Sequence, residues 1–231
     1  MIIHGLQKLT LLDFPGRVAC TVFLAGCNLR CPFCHNSELL DAAAAEPVMD
    51  DAGLLDFLKK RQGMLDGVAF TGGEPLLRAG LPELMRAVRD LGYAVKLDTN
   101  GTRPAALKAV LDAHLADYVA MDVKNSPARY AETCGVDRVD LDAVRESIAL
   151  LRGGGTDYEF RTTVVDELHD EASIAGVGEL IHGAKRCFLQ PFRDRDTVAF
   201  AGFHAPSAEK LERYAAILRP HAGTVEIRGE T

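Results

Sequence analysis

The sequence predicts an α/β fold, a partial (β/α)6 barrel open on one side. Three observations lead there. From Arg17 onward, short β-branched runs alternate with amphipathic segments, as βα units around a parallel sheet do. The period is about thirty residues, the size of one such unit. The 231-residue chain supplies about six units, too few for a closed eight-stranded barrel.

Each element follows from local pattern. Arg17–Ala25 reads as the first strand, followed by a loop that Gly26 opens and Pro32 interrupts. Asp50 and Asp51 start a helix carrying Leu54, Leu55 and Leu58. Asp66–Thr71 is the second strand and Leu81–Leu91 its helix; Tyr93–Thr99 is the third, followed by the helix Pro104–Leu115. Asp117–Val123 is the fourth strand, Leu141–Leu151 a helix, Tyr158–Val165 the fifth strand and Glu171–Ile181 a helix. Lys185–Gln190 is the sixth strand, Ser207–Leu218 a last helix, and Thr224–Ile227 a candidate terminal strand. With no strong linker, one domain over 1–231 is expected, its barrel core spanning about 17–192 and a C-terminal helix and strand lying within 207–228.

Composition sets bounds. Hydrophobic residues make up 48% of the chain, enough for a sizeable core. No stretch approaches the roughly 18–20 apolar residues of a membrane helix, so no membrane partner is expected. Thirty-three acids against 26 Lys and Arg give a net charge of −7, which argues against general nucleic-acid binding. The N-terminus has neither a basic start nor an apolar run of the secretory type, and a cytoplasmic location with reduced thiols is the expectation.

Three of the six cysteines, Cys27, Cys31 and Cys34, fall within eight residues at C-x3-C-x2-C spacing. Three thiolates can hold three irons of a [4Fe-4S] cube and leave the fourth iron open to a small molecule. The same thiols also suit one edge of a zinc knuckle, or simple packing. Cys20 and Cys187 lie in apolar runs and Cys134 precedes Gly135 in a turn; all three read as packing residues. His4, His114, His169, His182, His204 and His221 show no ligand spacing.

Polar residues gather at the predicted C-terminal strand ends, the rim where βα barrels build their sites. Strand two runs into Thr71-Gly72-Gly73-Glu74-Pro75, where two glycines let a ligand approach the backbone and Glu74 can accept from an ammonium group. Strand three ends in Asp98-Thr99, and strand four in Asp122-Val123-Lys124. Alternation puts Asp122 and Lys124 on one face, serving either a ligand or each other. Arg161 on strand five suits a carboxylate.

Together the cysteine loop, with Phe33 before its third thiol, and the Gly-Gly-Glu-Pro turn resemble the radical S-adenosylmethionine (SAM) superfamily, so the barrel expected is a radical SAM barrel. The Asp98-Thr99 and Asp122-x-Lys124 segments resemble its glycyl-radical-enzyme activases. Gln190-Pro191-Phe192-Arg193 resembles the activating proteins of anaerobic ribonucleoside-triphosphate reductase, as do His4–Lys8 and Asp13–Gly16. The pyruvate formate-lyase activase pattern has a His where Arg193 stands.

The resemblance implies that Cys27, Cys31 and Cys34 hold a [4Fe-4S] cluster. It also implies that Phe33, Gly72, Gly73, Glu74, Asp98, Thr99, Asp122, Lys124 and Arg161 shape the SAM site, and that the two Asp residues adjoin a monovalent cation, as in some members. Reductive cleavage of SAM would then generate a radical on a glycine of a partner glycyl-radical enzyme, with an electron donor such as flavodoxin or ferredoxin. No side-chain acid or base is required. Two rivals are a radical SAM enzyme acting on a small molecule, such as 7-carboxy-7-deazaguanine synthase, and a zinc-stabilised binding protein.

Overall fold

The computed structural model describes residues 1–229, which gather into two compact units. The first comprises Met1–Asn28, Glu38–Thr99 and Ala105–Val119; the second comprises Leu29–Ser37, Asn100–Pro104 and the chain from Ala120 onward.

In the first unit, β1 (Ile2–Ile3) pairs antiparallel with β4 (Met49–Asp50), and β2 (Gly5–Thr10) pairs antiparallel with β3 (Ala19–Leu24). The helix α1 (Asp51–Lys59) is capped by Asp50, whose side chain accepts from Gly53 N–H at 2.8 Å. Parallel strands follow: β5 (Gly67–Gly72), the helix α2 (Leu81–Asp90), β6 (Ala94–Thr99), the helix α3 (Pro104–Asp112) and the start of β7 (Tyr118–Asp122). The order is β2-β3-β5-β6-β7. Val22, Leu24, Val68, Phe70, Val95 and Leu97 are fully buried strand residues, and Leu54, Leu58, Met85 and Val88 are the buried faces of α1 and α2. Phe14 is also buried, its ring where a Cβ on Gly67 would stand, 2.9 Å away.

The second unit takes up the end of β7 and continues through α4 (Tyr130–Thr133), α5 (Leu141–Gly153), β8 (Asp157–Val164), α6 (Glu171–Ile181), β9 (Ala184–Pro191), α7 (Ala208–Leu218) and β10 (Ala222–Ile227). Strands β8, β9 and β10 are parallel neighbours in that order. The helix α6 opens with a reciprocal capping box between Asp170 and Ser173. Its buried face, Ile174, Val177 and Ile181, recurs at the three-to-four spacing that the sequence carries.

The α/β class is as expected, and each unit's strands end at an open edge, β2 in the first and β10 in the second. Every strand and helix expected from Arg17 to Ile227 is present within a few residues of its expected bounds. The additions are β1, β2, β4 and α4. An edge strand such as β2, with residues 7–9 exposed, carries little of the apolar alternation by which a strand is recognised.

Candidate functional site

The first unit builds the approach to Cys27 from backbone. Leu24 C=O accepts from Gly73 N–H at 2.8 Å, and Gly26 C=O accepts from Glu74 N–H at 2.8 Å. Gly26 N–H and Cys27 N–H donate to the carbonyls of Leu39 and Leu40, at 2.7 and 3.1 Å. Two side chains outside the sequence-derived set grip Ala25 between them: Arg78 donates to its carbonyl, and His4 Nδ1 accepts from its N–H at 3.1 Å. Burial, then the charge of Arg78, lowers the His4 pKa, which suits an accepting neutral ring. Neither contact was legible in sequence, because each residue is separated from Ala25 by more than twenty positions.

The glycine pair has a different first reason from ligand access. Gly72 has φ +128°, and a Cβ there would lie 2.2 Å from Leu24 O; one on Gly73 would lie 2.3 Å from Gly26 O. The space a side chain would need is occupied by the chain entering the cysteine loop. Glu74, 1% exposed, accepts at Oε1 from Thr99 Oγ1 at 2.9 Å and from Leu76 N–H at 3.1 Å. Asp98 pairs with the buried Lys96. The structure thus brings Glu74 and Thr99 into contact.

In the second unit, Asp122 joins Lys124 and Arg161. Its Oδ2 accepts from Lys124 Nζ and its Oδ1 from Arg161 Nε, both at 2.9 Å. Burial pushes the Asp122 carboxyl upward, but the charges of Arg161 and then Lys124 outweigh it and hold the group well below the carboxylate range. Lys124 is raised despite its own burial, chiefly by Asp122. Asp122 and Lys124 thus pair with each other, and Arg161 completes the cluster. His169 supports this strand end as a packing residue, its Nε2–H donating to Lys124 C=O at 3.0 Å and its Nδ1 accepting from Val165 N–H at 3.1 Å.

Cys31 and Cys34 lie in the same unit, with Phe33 buried between them. Cys31 is brought down to about 7 by a hydrogen bond from the Cys134 thiol, against its burial, with help from the charge of Lys124. Burial raises Cys34. Burial also pushes Cys20 and Cys187 up to about 12, which suits inert packing thiols. Cys134, given to packing by the sequence reading, is fully buried. After Cys34, His35 stacks on Phe192 with centroids 5.5 Å apart, and its Nε2 lies 2.6 Å from Arg193 C=O. Arg193 itself reaches Gly229 C=O.

These groups fit the implied cofactors by chemistry. The six cysteines are all free of disulfides, as thiolate ligands must be. Among the described residues no three His, Cys, Asp or Glu side chains are gathered as a set for one metal ion. A cube does not need that, since each thiolate binds a different iron. Glu74 suits an ammonium group, and Lys124 and Arg161 suit a carboxylate. Among the described residues no helix is long and apolar enough to cross a membrane.

Residues 21–173 match the radical SAM superfamily. A protein of Methanocaldococcus jannaschii, named as a candidate glycyl-radical enzyme activating enzyme, is 29% identical over 237 residues, covering 98% of this chain and 95% of its own. The 7-carboxy-7-deazaguanine synthase of Thermococcus kodakarensis is 28% identical over 195 residues, 76% of this chain and 75% of that one. Among solved structures, a domain of a pyruvate-formate lyase-activating enzyme from Bacteroides vulgatus aligns with TM-score 0.58 at 22% identity, covering 71% of this chain and 99% of that one. At that identity the likeness is one of fold.

Proposed function

We infer, for a chain that belongs to the radical SAM superfamily, that it is a glycyl-radical-enzyme activase whose protein substrate is an anaerobic ribonucleoside-triphosphate reductase. The chain is a radical SAM enzyme, and its family works with a [4Fe-4S] cluster and SAM. The observation that carries the activase reading is the match along nearly the whole of both chains with the relative named for that activity. The Gln190–Arg193 run and the segments around His4 and Asp13 favour the reductase as partner.

In this reading Cys27, Cys31 and Cys34 hold the cluster. Glu74, backed by Thr99, receives the SAM ammonium group, and Lys124 and Arg161 receive its carboxylate. Gly72 and Gly73 keep the turn close to the chain before Cys27, while Asp98 and Phe33 complete the walls. When bound, the cluster and SAM supply one-electron chemistry that removes a hydrogen atom from the partner's glycine. The protein's own part is to bind, orient and exclude water. The electron comes from a donor such as flavodoxin or ferredoxin, in the cytoplasm, where thiols stay reduced.

A second reading rests on the 7-carboxy-7-deazaguanine synthase relative, which implies a small-molecule substrate. Anaerobic incubation with reductant, SAM and a candidate reductase decides between them. A glycyl-radical doublet by electron paramagnetic resonance on the reductase is expected. A doublet only on a pyruvate formate-lyase-type protein would reassign the partner, and SAM turnover with a small molecule and no protein radical would overturn the activase reading.

A further inference from the structure

Strand β6 carries a buried ammonium group that the chemistry described so far leaves unused. Lys96 is 1% exposed, on the face of β6 opposite the fully buried Val95 and Leu97. Its neighbour in register on β5 is Ala69, whose small side chain leaves the lysine stem its space. Alternation puts Lys96 and Asp98 on one face, and Lys96 Nζ donates to Asp98 Oδ1. Among the described residues, Asp98 is the one ion-pair partner of Lys96. The Asp98 side chain is 16% exposed and that of Lys96 2%, so the carboxylate is the accessible member of the pair and the ammonium the hidden one. A charge so deeply buried is tolerated only when paired, and the two groups together are neutral.

The resemblance to the activases implies a monovalent cation adjoining Asp98, and the donor set does not fit one. This carboxylate already holds a compact ammonium of unit charge, and a second cation on it would meet the repulsion of Lys96 Nζ at close range. Asp122, within its own unit, likewise has a protein cation on each oxygen, Lys124 and Arg161, both at 2.9 Å. We propose that Lys96 is the resident counter-ion of the SAM site: its ammonium takes the place of a monovalent cation beside Asp98, so that SAM binding needs no added Na+ or K+. Lys96 is a positioning residue, acting through Asp98. This rests on the reading of Asp98 as a SAM-site residue.

The test measures SAM affinity by equilibrium titration of the anaerobically reconstituted protein in tetramethylammonium, Na+ and K+ chlorides at equal ionic strength. Wild type is expected to bind SAM equally in all three, within about twofold, since screening is the same. Lys96→Met keeps the length of the side chain and removes its charge. It is expected to bind SAM about tenfold more weakly in tetramethylammonium and to recover in Na+ or K+, which are small enough to stand where the ammonium was. A lysine needed only for packing would lower the melting temperature of the variant with no cation-specific recovery. Weak binding that neither ion restores therefore overturns the proposal, and so does unchanged binding by the variant in tetramethylammonium. Should Lys96→Met not fold, the wild-type series decides: equal affinities support the proposal, and an affinity that rises with Na+ or K+ overturns it. Wild-type protein that holds its cluster but binds SAM in none of the salts overturns the SAM-site reading instead, so the two failures are distinct.

Discussion

Thr99 Oγ1 donates to Glu74 Oε1 at 2.9 Å, and the same oxygen accepts Leu76 N–H at 3.1 Å. The carboxylate expected to receive an ammonium group is thus oriented by the strand next to its own. Thr99→Val removes one donor from a buried acceptor and is expected to cost about 1–2 kcal/mol in urea unfolding. Glu74→Gln keeps an acceptor oxygen for both donors but loses the charge. It is expected to change stability little while weakening SAM binding to the reconstituted protein roughly tenfold, as measured by equilibrium titration.

The Asp122 cluster ties ligand chemistry to stability. Asp122→Asn leaves Lys124 and Arg161 facing each other without their shared carboxylate, and about 3 kcal/mol of destabilisation at neutral pH is expected. Because the folded carboxyl titrates below its unfolded value, its contribution is fully present above about pH 4 and is lost as pH falls through the lowered value. The acid limb of the wild-type stability curve should therefore flatten in Asp122→Asn, which acid titration followed by circular dichroism would show. No such flattening would mean that the pair contributes nothing to folding.

Glycine substitutions separate close approach from ordinary turns. Gly73→Ala forces a Cβ to 2.3 Å from Gly26 O and is expected to lower thermal stability sharply and to prevent cluster uptake. Gly80→Ala meets no atom within 4 Å at φ −81°, and a change within about 1 kcal/mol is expected. Equal effects of the two in thermal melts would contradict the packing described for the turn.

Thiol replacements give the sharpest contrast. Cys27→Ala, Cys31→Ala and Cys34→Ala are each expected to abolish the four-iron cluster. Cys20→Ala and Cys187→Ala, in the cores of β3 and β9, are expected to keep it at a cost of about 1–2 kcal/mol in stability. Iron and sulfide analysis of anaerobically purified protein reads both.

Much of this arrangement was legible in the sequence, because hydrophobic periodicity reports buried faces directly. Strands β3 and β5 to β9 and the helices α1, α2, α3, α5 and α6 follow from Val, Ile and Leu spacing, and the cysteine loop from spacing alone. What periodicity does not carry is contact between distant positions. Arg78 and His4 hold Ala25 through polar bonds to backbone, and such bonds leave no pattern in the chain. The bond from Arg30 N–H to Cys134 C=O, at 2.9 Å, was hidden likewise, since a lone thiol before a glycine reads as a turn. Its donor stands about a hundred positions earlier. For Gly72 and Gly73 the residues were recognised but the first reason was not: the neighbouring backbone, more than a ligand, excludes a side chain.

Near the other end of the second unit, Arg228 embraces the fully buried Glu159 with two hydrogen bonds, at 2.7 and 2.8 Å, and lies 3.6 Å over the Phe188 ring. The two partners are 69 residues apart, and Arg228 is the later to be synthesised. On the ribosome, β8 is complete before Arg228 is made, so the nascent chain cannot form this two-bond pairing until Arg228 has left the exit tunnel. This pairing therefore forms late relative to β8, and a chain stopped before Arg228 would lack the two hydrogen bonds that Glu159 accepts from it.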